Sequence, residues 1–143
     1  MEPSLLLDAA LALIIWSLIV WVWMYALRIP AMSKANIDPQ DAKHPGNLNG
    51  LASHVRAVAD NYNHLHEQPT VFYALVFYSY LTDLANHGNL GDIAILVAWA
   101  YVVLRVLHSF SQNTSNIVMI RFSIFFLSSL CLVILSCLNL IVR

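Results

Sequence analysis

Charged and amide side chains recur at helical spacing in the second quarter of the chain. Arg56, Asp60, Asn63 and Glu67 follow one another at intervals of four, three and four residues, and His64 lies beside this series. Residues three or four apart share one face of a helix, so the series predicts a polar stripe. A charged side chain within a membrane helix costs roughly 2.5–3.5 kcal/mol, and such residues usually mark a functional site.

A second polar stripe lies in the last third of the chain. Arg105, His108 and Gln112 are spaced by three and four residues, and Arg121 follows near the start of the next apolar segment. We expect the two stripes and Arg121 to lie at a similar depth and to converge on one another. The basic side chains of the combined set are Arg56, Arg105, Arg121 and, when protonated, His108, and the acidic ones are Asp60 and Glu67. The excess of positive charge favours an anionic ligand.

A structural role for the same residues is the alternative. Arg56 with Asp60, and Glu67 with Arg105, have the charges to form ion pairs that hold a small helical bundle together. We predict no metal site, because His64 and His66 are two residues apart and therefore point away from each other on a helix.

Composition indicates that these stripes lie in a membrane protein. Of the 143 residues, 59% are hydrophobic and only 10% are charged, whereas a soluble domain is nearer half apolar and a quarter charged. The net charge of −1 supplies no basic surface for nucleic acid. The cysteines, Cys131 and Cys137, lie in one apolar segment and form no disulfide framework. We therefore expect one domain, integral to the lipid bilayer.

Four apolar segments are long enough to span a bilayer, and together they predict an all-α bundle of four transmembrane helices. We expect the second segment to be one long helix, polar in its first half and apolar in its second, with a kink at Pro69. A polar loop rich in proline and glycine occupies residues 29–50. The predicted spans are residues 4–27, 51–84, 92–110 and 117–142.

Basic residues are distributed unevenly between the loops. Six of the seven flank the first and third loops, and the second loop has none. The positive-inside rule then predicts that these two loops are cytoplasmic and that both termini lie outside.

The residues around the two stripes resemble the MAPEG family, the membrane-associated proteins in eicosanoid and glutathione metabolism. The resemblance rests on RAVADNYNHLHEQPTVFYAL in the second segment and on RVLHSFSQNTSNIVMIRF across the third and fourth, and chain size and loop lengths agree over nearly the whole chain. It is greatest to the bacterial branch, which implies a bacterial inner membrane. The family further implies a four-helix bundle assembled as a homotrimer, glutathione as cosubstrate and a lipophilic small molecule as its acceptor.

Individual roles follow from the same resemblance. Glu67 resembles the family's acidic residue that meets the amino group of glutathione, and either Asn63 or His64 resembles the polar residue next to it. Arg121 resembles the fourth-helix arginine that stabilises the glutathione thiolate, as a guanidinium beside a thiol favours its ionised form. Arg105 and His108 resemble the third-helix residues that line the ligand cavity in the family.

The chain departs from the glutathione-using members at several of these positions. Where those members carry arginines that bind the carboxylates of glutathione, this chain has Asp60 and Asn63, and Arg56 lies a turn further away. Gln112 replaces a tyrosine. Three functions are therefore compatible with the sequence: a thiol-dependent transferase or peroxidase, a lipid- or amphiphile-binding protein without catalysis, and a proton or ion relay that uses Asp60, Glu67 and the nearby histidines. The last is the least supported, because no apolar span is broken as transporter spans are.

Overall fold

The computed structural model describes residues 2–82 and 84–142, and every regular element in these ranges is helical. This confirms the predicted all-α class. Three short 3-10 turns, Asp41–Lys43, Pro45–Leu48 and Leu84–Asn86, lie in the connections. The α-helices are α1 (Ser4–Lys34), α2 (Ser53–His64), α3 (Gln68–Leu81), α4 (Asn89–Asn113) and α5 (Val118–Ile141).

Helices α1, α4 and α5 are long and apolar enough to cross a membrane. Only 33%, 39% and 33% of their most apolar windows are buried within the chain, so large apolar side chains cover the outside of the bundle. Such a surface is stable in lipid or against another protein, and not in water. Helices α2 and α3, with 12 and 14 residues, are each shorter than a span requires and follow one another along the bundle.

Helix α1 extends past the end predicted for it. The predicted span ends at residue 27, but the helix continues through Pro30 to Lys34. A proline removes one helical hydrogen bond, here the one to the carbonyl of Ala26. Because Pro30 lies close to the end of a long helix, water or lipid headgroups can solvate that carbonyl. The connecting loop begins correspondingly later than predicted.

The predicted continuous second helix is wrong, since α2 ends at His64 and α3 begins at Gln68. The peptide nitrogens of Leu65 and His66 close the end of α2 by donating to carbonyls within its last turn. Pro69, in the first turn of α3, has no N–H to donate to the carbonyl of Leu65, and in a continuous helix its ring would clash with that carbonyl. The chain therefore breaks before the proline, and the break places Glu67 outside both helices.

The hydrophobic core contains side chains from α1, α3, α4 and α5. Phe72 of α3 stacks on Tyr101 of α4 with ring centroids 4.4 Å apart, and both side chains are fully buried. Trp16 of α1 donates from Nε1 to the hydroxyl of Ser109 at 3.1 Å. These contacts fix α1, α3 and α4 relative to one another. Aliphatic side chains fill the remainder of this core: Leu6, Leu13, Val20, Val76, Ile95 and Leu135.

Gly91 is required by close packing at the start of α4. A Cβ atom there would lie 2.5 Å from the carbonyl oxygen of Ala85 and 2.8 Å from that of Leu84. We expect Gly91→Ala to lower the free energy of unfolding by about 1–3 kcal/mol, because backbone atoms must move to admit the methyl group. The measurement is thermal unfolding in detergent. Gly50→Ala is the control, as its added Cβ meets no atom within 4 Å; equal losses in both variants would contradict the steric explanation.

Candidate functional site

The polar stripes of α2 and α4 meet the start of α5 around a cavity of about 250 Å³, here called the polar cavity. Helix α2 and the break after it supply one wall, and the end of α4 with the start of α5 supplies the other. The short loop between α4 and α5 brings the end of one helix beside the start of the next, and α2 packs against α4. The lining residues are Ala57, Asp60, Asn63, His64, Glu67, Gln112, Asn116 and Arg121.

A second cavity of about 220 Å³, here called the apolar cavity, adjoins the polar one. Both cavities share His64 and Arg121 in their walls. The remaining walls of the second cavity are mainly aromatic or aliphatic and come from α5, with His108 from α4. A ligand with a polar and an apolar part therefore has adjoining spaces for both. Its further lining residues are Val118, Phe122 and Phe125.

Arg121 is held at the boundary between the two cavities by the loop before α5. Its Nη1 donates to Oδ1 of Asn116 at 2.6 Å. Asn116 has a left-handed backbone with φ of 49°, and its N–H donates to the carbonyl of Ser111 at 2.8 Å. Arg121 also lies in the first turn of α5, where the helix dipole adds positive potential. The guanidinium is thus oriented for a negatively charged atom.

Glu67 and His64 form the acidic side of the polar cavity. His64 Nδ1 lies 3.0 Å from Glu67 Oε2, and this contact is an ion pair when the imidazole is protonated. The Glu67 side chain is 65% exposed. The carboxylate is therefore accessible to an ammonium group of a ligand, while His64 restricts its orientation.

Arg105 lies behind the cavities and not in their walls. Only 1% of its surface is exposed, its Nε donates to the Tyr101 hydroxyl at 3.1 Å, and its guanidinium carbon lies 5.0 Å from the ring centroid of Phe125. Its Nη2 has no hydrogen-bond partner among the described residues. The electron-rich ring faces partly compensate the buried charge. Arg105 thus supports Phe125 from behind and adds positive potential to the apolar cavity.

The predicted site residues fall into three groups according to which cavity they line. Six line the polar cavity, His108 lines the apolar cavity, and Arg56 and Arg105 line neither. Arg56 is exposed on α2, and within the described chain it forms no ion pair with Asp60 closer than 4.0 Å. The predicted excess of positive charge is therefore absent from the polar cavity, whose wall has two carboxylates and one guanidinium. The six are Asp60, Asn63, His64, Glu67, Gln112 and Arg121.

Three residues that hold the cavities in place were not among the predicted site residues: Asn116, Gln68 and Tyr101. Gln68 donates from Nε2 to the Ser129 hydroxyl at 2.7 Å, and its Oε1 accepts from the Tyr101 hydroxyl at 3.5 Å. Tyr101 precedes Arg105 by four residues, so the helical spacing of the second stripe could have indicated it. Gln68, at the end of a polar stretch, and Asn116, in a loop, had no such signal. Among the described residues, no three histidine, cysteine or acidic side chains are grouped to hold a metal ion.

These observations define an all-helical integral membrane protein with a polar cavity that adjoins an apolar one at the end of the bundle. The model of the MAPEG family matches residues 6–141. The chain therefore belongs to the MAPEG family, as its stripes predicted. Searches of curated proteins and of solved structures found no match.

Proposed function

We propose that the protein is a membrane transferase or peroxidase that uses glutathione or a similar thiol against lipophilic electrophiles. One observation carries the proposal: Arg121 lies in the walls of both the polar and the apolar cavity. A hydrophilic thiol in the first and an electrophile in the second would meet at this guanidinium. Membership of the MAPEG family supports the same function.

The chemistry requires no nucleophile from the protein. Arg121 stabilises the thiolate over the thiol, so the sulfur is a stronger nucleophile near neutral pH. In a transfer reaction the sulfur electron pair forms a bond to the electrophilic carbon, and the leaving group departs with its bonding electrons. In a peroxidase reaction the thiolate attacks one peroxide oxygen, the O–O bond breaks, and the other oxygen departs as an alcohol. A second thiol then attacks the resulting sulfenic acid and gives a disulfide and water. The apolar side chains of Phe122 and Phe125 beside Arg121 lower the local dielectric constant, and a lower dielectric strengthens the attraction between guanidinium and thiolate.

Glu67 and Asp60 determine which thiols fit. The Glu67 carboxylate suits the ammonium group of glutathione, but Asp60 repels its carboxylates. A direct test supplies chlorodinitrobenzene as electrophile with glutathione, cysteine or a cationic aminothiol as cosubstrate, in detergent and in vesicles. The expected result is protein-dependent conjugation with at least one thiol. Absence of conjugation and of peroxide reduction with all three would reject the proposal.

Asp60 also favours a second candidate, a binding protein without catalysis. A carboxylate that prevents glutathione from binding would leave the joined cavities available to a lipid or another amphiphile. This candidate predicts that a lipid co-purifies with the protein and that Glu67→Gln releases it. Thiol-dependent turnover would exclude this candidate as the sole function.

We propose a homotrimer for the assembled protein. The low burial of α1, α4 and α5 within one chain supports association, since subunit contacts would cover part of this surface. The number three rests on the family resemblance. Native mass spectrometry in detergent is expected to give a complex of three chains, and a stable monomer or dimer would contradict it.

We further propose that the first and third loops face the cytoplasm of a bacterial cell and that the termini face outward. The support is the distribution of basic residues. A cysteine introduced as Asn49→Cys, in the exposed first loop, is expected to react with an impermeant maleimide only after the inner membrane is opened. Asn89→Cys, at the start of α4 on the opposite side, is the matched control and is expected to react before opening. Reversed labelling would contradict this orientation.

A further inference from the structure

A third cavity lies at the end of α1 and shares no residue with the site described above. Its volume is about 650 Å³, larger than either the polar or the apolar cavity. Here it is called the α1 cleft. The last turns of α1 and the turn that follows the helix line it. Its lining residues are Tyr25, Arg28, Ile29, Met32, Ser33, Asn36, Ile37, Asp38 and Pro39.

The α1 cleft lies at the level of lipid headgroups. Helix α1 has 31 residues, and at 1.5 Å per residue it is about 46 Å long, against a hydrocarbon thickness of about 30 Å. Its unbroken apolar stretch ends at Leu27, directly before Arg28. Trp21 and Tyr25 pack edge to face with centroids 5.4 Å apart on the exposed side of the helix, as residues of an interfacial aromatic belt do. The apolar walls of the cleft thus continue the surface that contacts acyl chains.

Two opposite charges line the α1 cleft without pairing. Arg28 Nε is buried and has no hydrogen-bond partner among the described residues. Asp38 accepts a hydrogen bond at Oδ1 from the Gln40 N–H at 2.7 Å, and its other oxygen accepts none within the described ranges. In the same part of the chain no ion pair closer than 4.0 Å joins Arg28 to Asp38. Both groups are therefore available to a ligand.

We propose that the α1 cleft binds a zwitterionic phospholipid whose headgroup carries a primary ammonium, of the phosphatidylethanolamine type. The headgroup phosphate meets the Arg28 guanidinium, and the ammonium donates to the Asp38 carboxylate. Ile29, which is 63% exposed, contacts an acyl chain. A purely anionic headgroup would satisfy Arg28 but face an unneutralised carboxylate, so charge complementarity favours the zwitterion.

The test uses native mass spectrometry of the full-length protein after removal of endogenous lipid. Phosphatidylethanolamine, phosphatidylcholine and phosphatidylglycerol with identical acyl chains are titrated separately. We expect phosphatidylethanolamine to bind about tenfold more tightly than phosphatidylglycerol. Arg28→Gln is expected to weaken all three lipids, and Asp38→Asn to abolish the preference for phosphatidylethanolamine. Lys34→Gln removes a charge from the same helix but lines a different cleft, so it is expected to change neither property.

Several outcomes would overturn the proposal. Equal binding of phosphatidylethanolamine and phosphatidylglycerol by the unaltered protein would show that Asp38 does not bind the headgroup ammonium. Unchanged lipid binding in Arg28→Gln would remove the phosphate contact. Stabilisation by inorganic phosphate as large as that by the lipid would indicate a simple anion site. A change of oligomeric mass in Arg28→Gln would indicate that another copy of the chain covers the cleft.

Discussion

Replacing Arg121 by alanine is expected to lower thiol-dependent turnover by about 100-fold or more while leaving the fold intact. Arg121 lies in the walls of both cavities, and its guanidinium is oriented by Asn116 at 2.6 Å. The variant removes the charge that we propose to stabilise the thiolate. The fold should persist because Arg121 is partly exposed and its described side-chain hydrogen bond is to this single loop residue.

The measurement is the pH profile of conjugation together with thermal unfolding. Without the guanidinium, the rate should begin to rise only at higher pH, where the thiol ionises unaided. Lys43→Ala is the matched control, as it removes one positive charge from an exposed turn away from both cavities. Turnover in Arg121→Ala equal to that of the control would show that another group activates the thiol.

Replacing Asp60 by arginine is expected to tighten glutathione binding by about tenfold or more. Asp60 lines the polar cavity beside Asn63 and Glu67, where two carboxylates oppose one guanidinium. The substitution exchanges a repelling group for one that binds carboxylates with two parallel hydrogen bonds. Asp60→Asn removes the repulsion without adding a donor of that strength, so its effect should be smaller and in the same direction.

Glutathione binding by both variants is measured from the increase in thermal stability at increasing glutathione concentrations. A ligand at ten times its dissociation constant stabilises the native state by about 1.4 kcal/mol, so a tighter variant reaches this stabilisation at lower concentration. The double variant Asp60→Arg with Arg121→Ala lacks the guanidinium proposed to stabilise the thiolate. Glutathione binding by this variant therefore reports the effect of Asp60→Arg on binding alone. If Asp60→Arg and Asp60→Asn bind glutathione no better than the unaltered protein, then Asp60 does not face the ligand's carboxylates.

The sequence by itself determined the class of the protein and most of the residues that line the polar cavity. Apolar composition defined the membrane as solvent, and the three-residue spacing placed Asp60 and Asn63 on one helix face, whereas Glu67 lies in the break after α2. Helical periodicity is a local property, so the sequence reports it directly. The proximity of Gln112 and Arg121 was also predictable, because the short loop between α4 and α5 brings these helix ends together.

Only the tertiary structure decided where each charge lies relative to the cavities. Arg56 and Arg105 belong to the same stripes as the lining residues, yet one is exposed on α2 and the other is buried behind Phe125. A stripe is wide enough to cover both a cavity wall and its flanks, and the neighbouring helices decide which member faces inward. Asn116 and the α1 cleft were also not predicted, although their contacts join residues close together in the sequence. Both lie where a helix is followed by a turn with a left-handed residue, Asn116 or Asn36, and helical periodicity does not describe the backbone of such a turn.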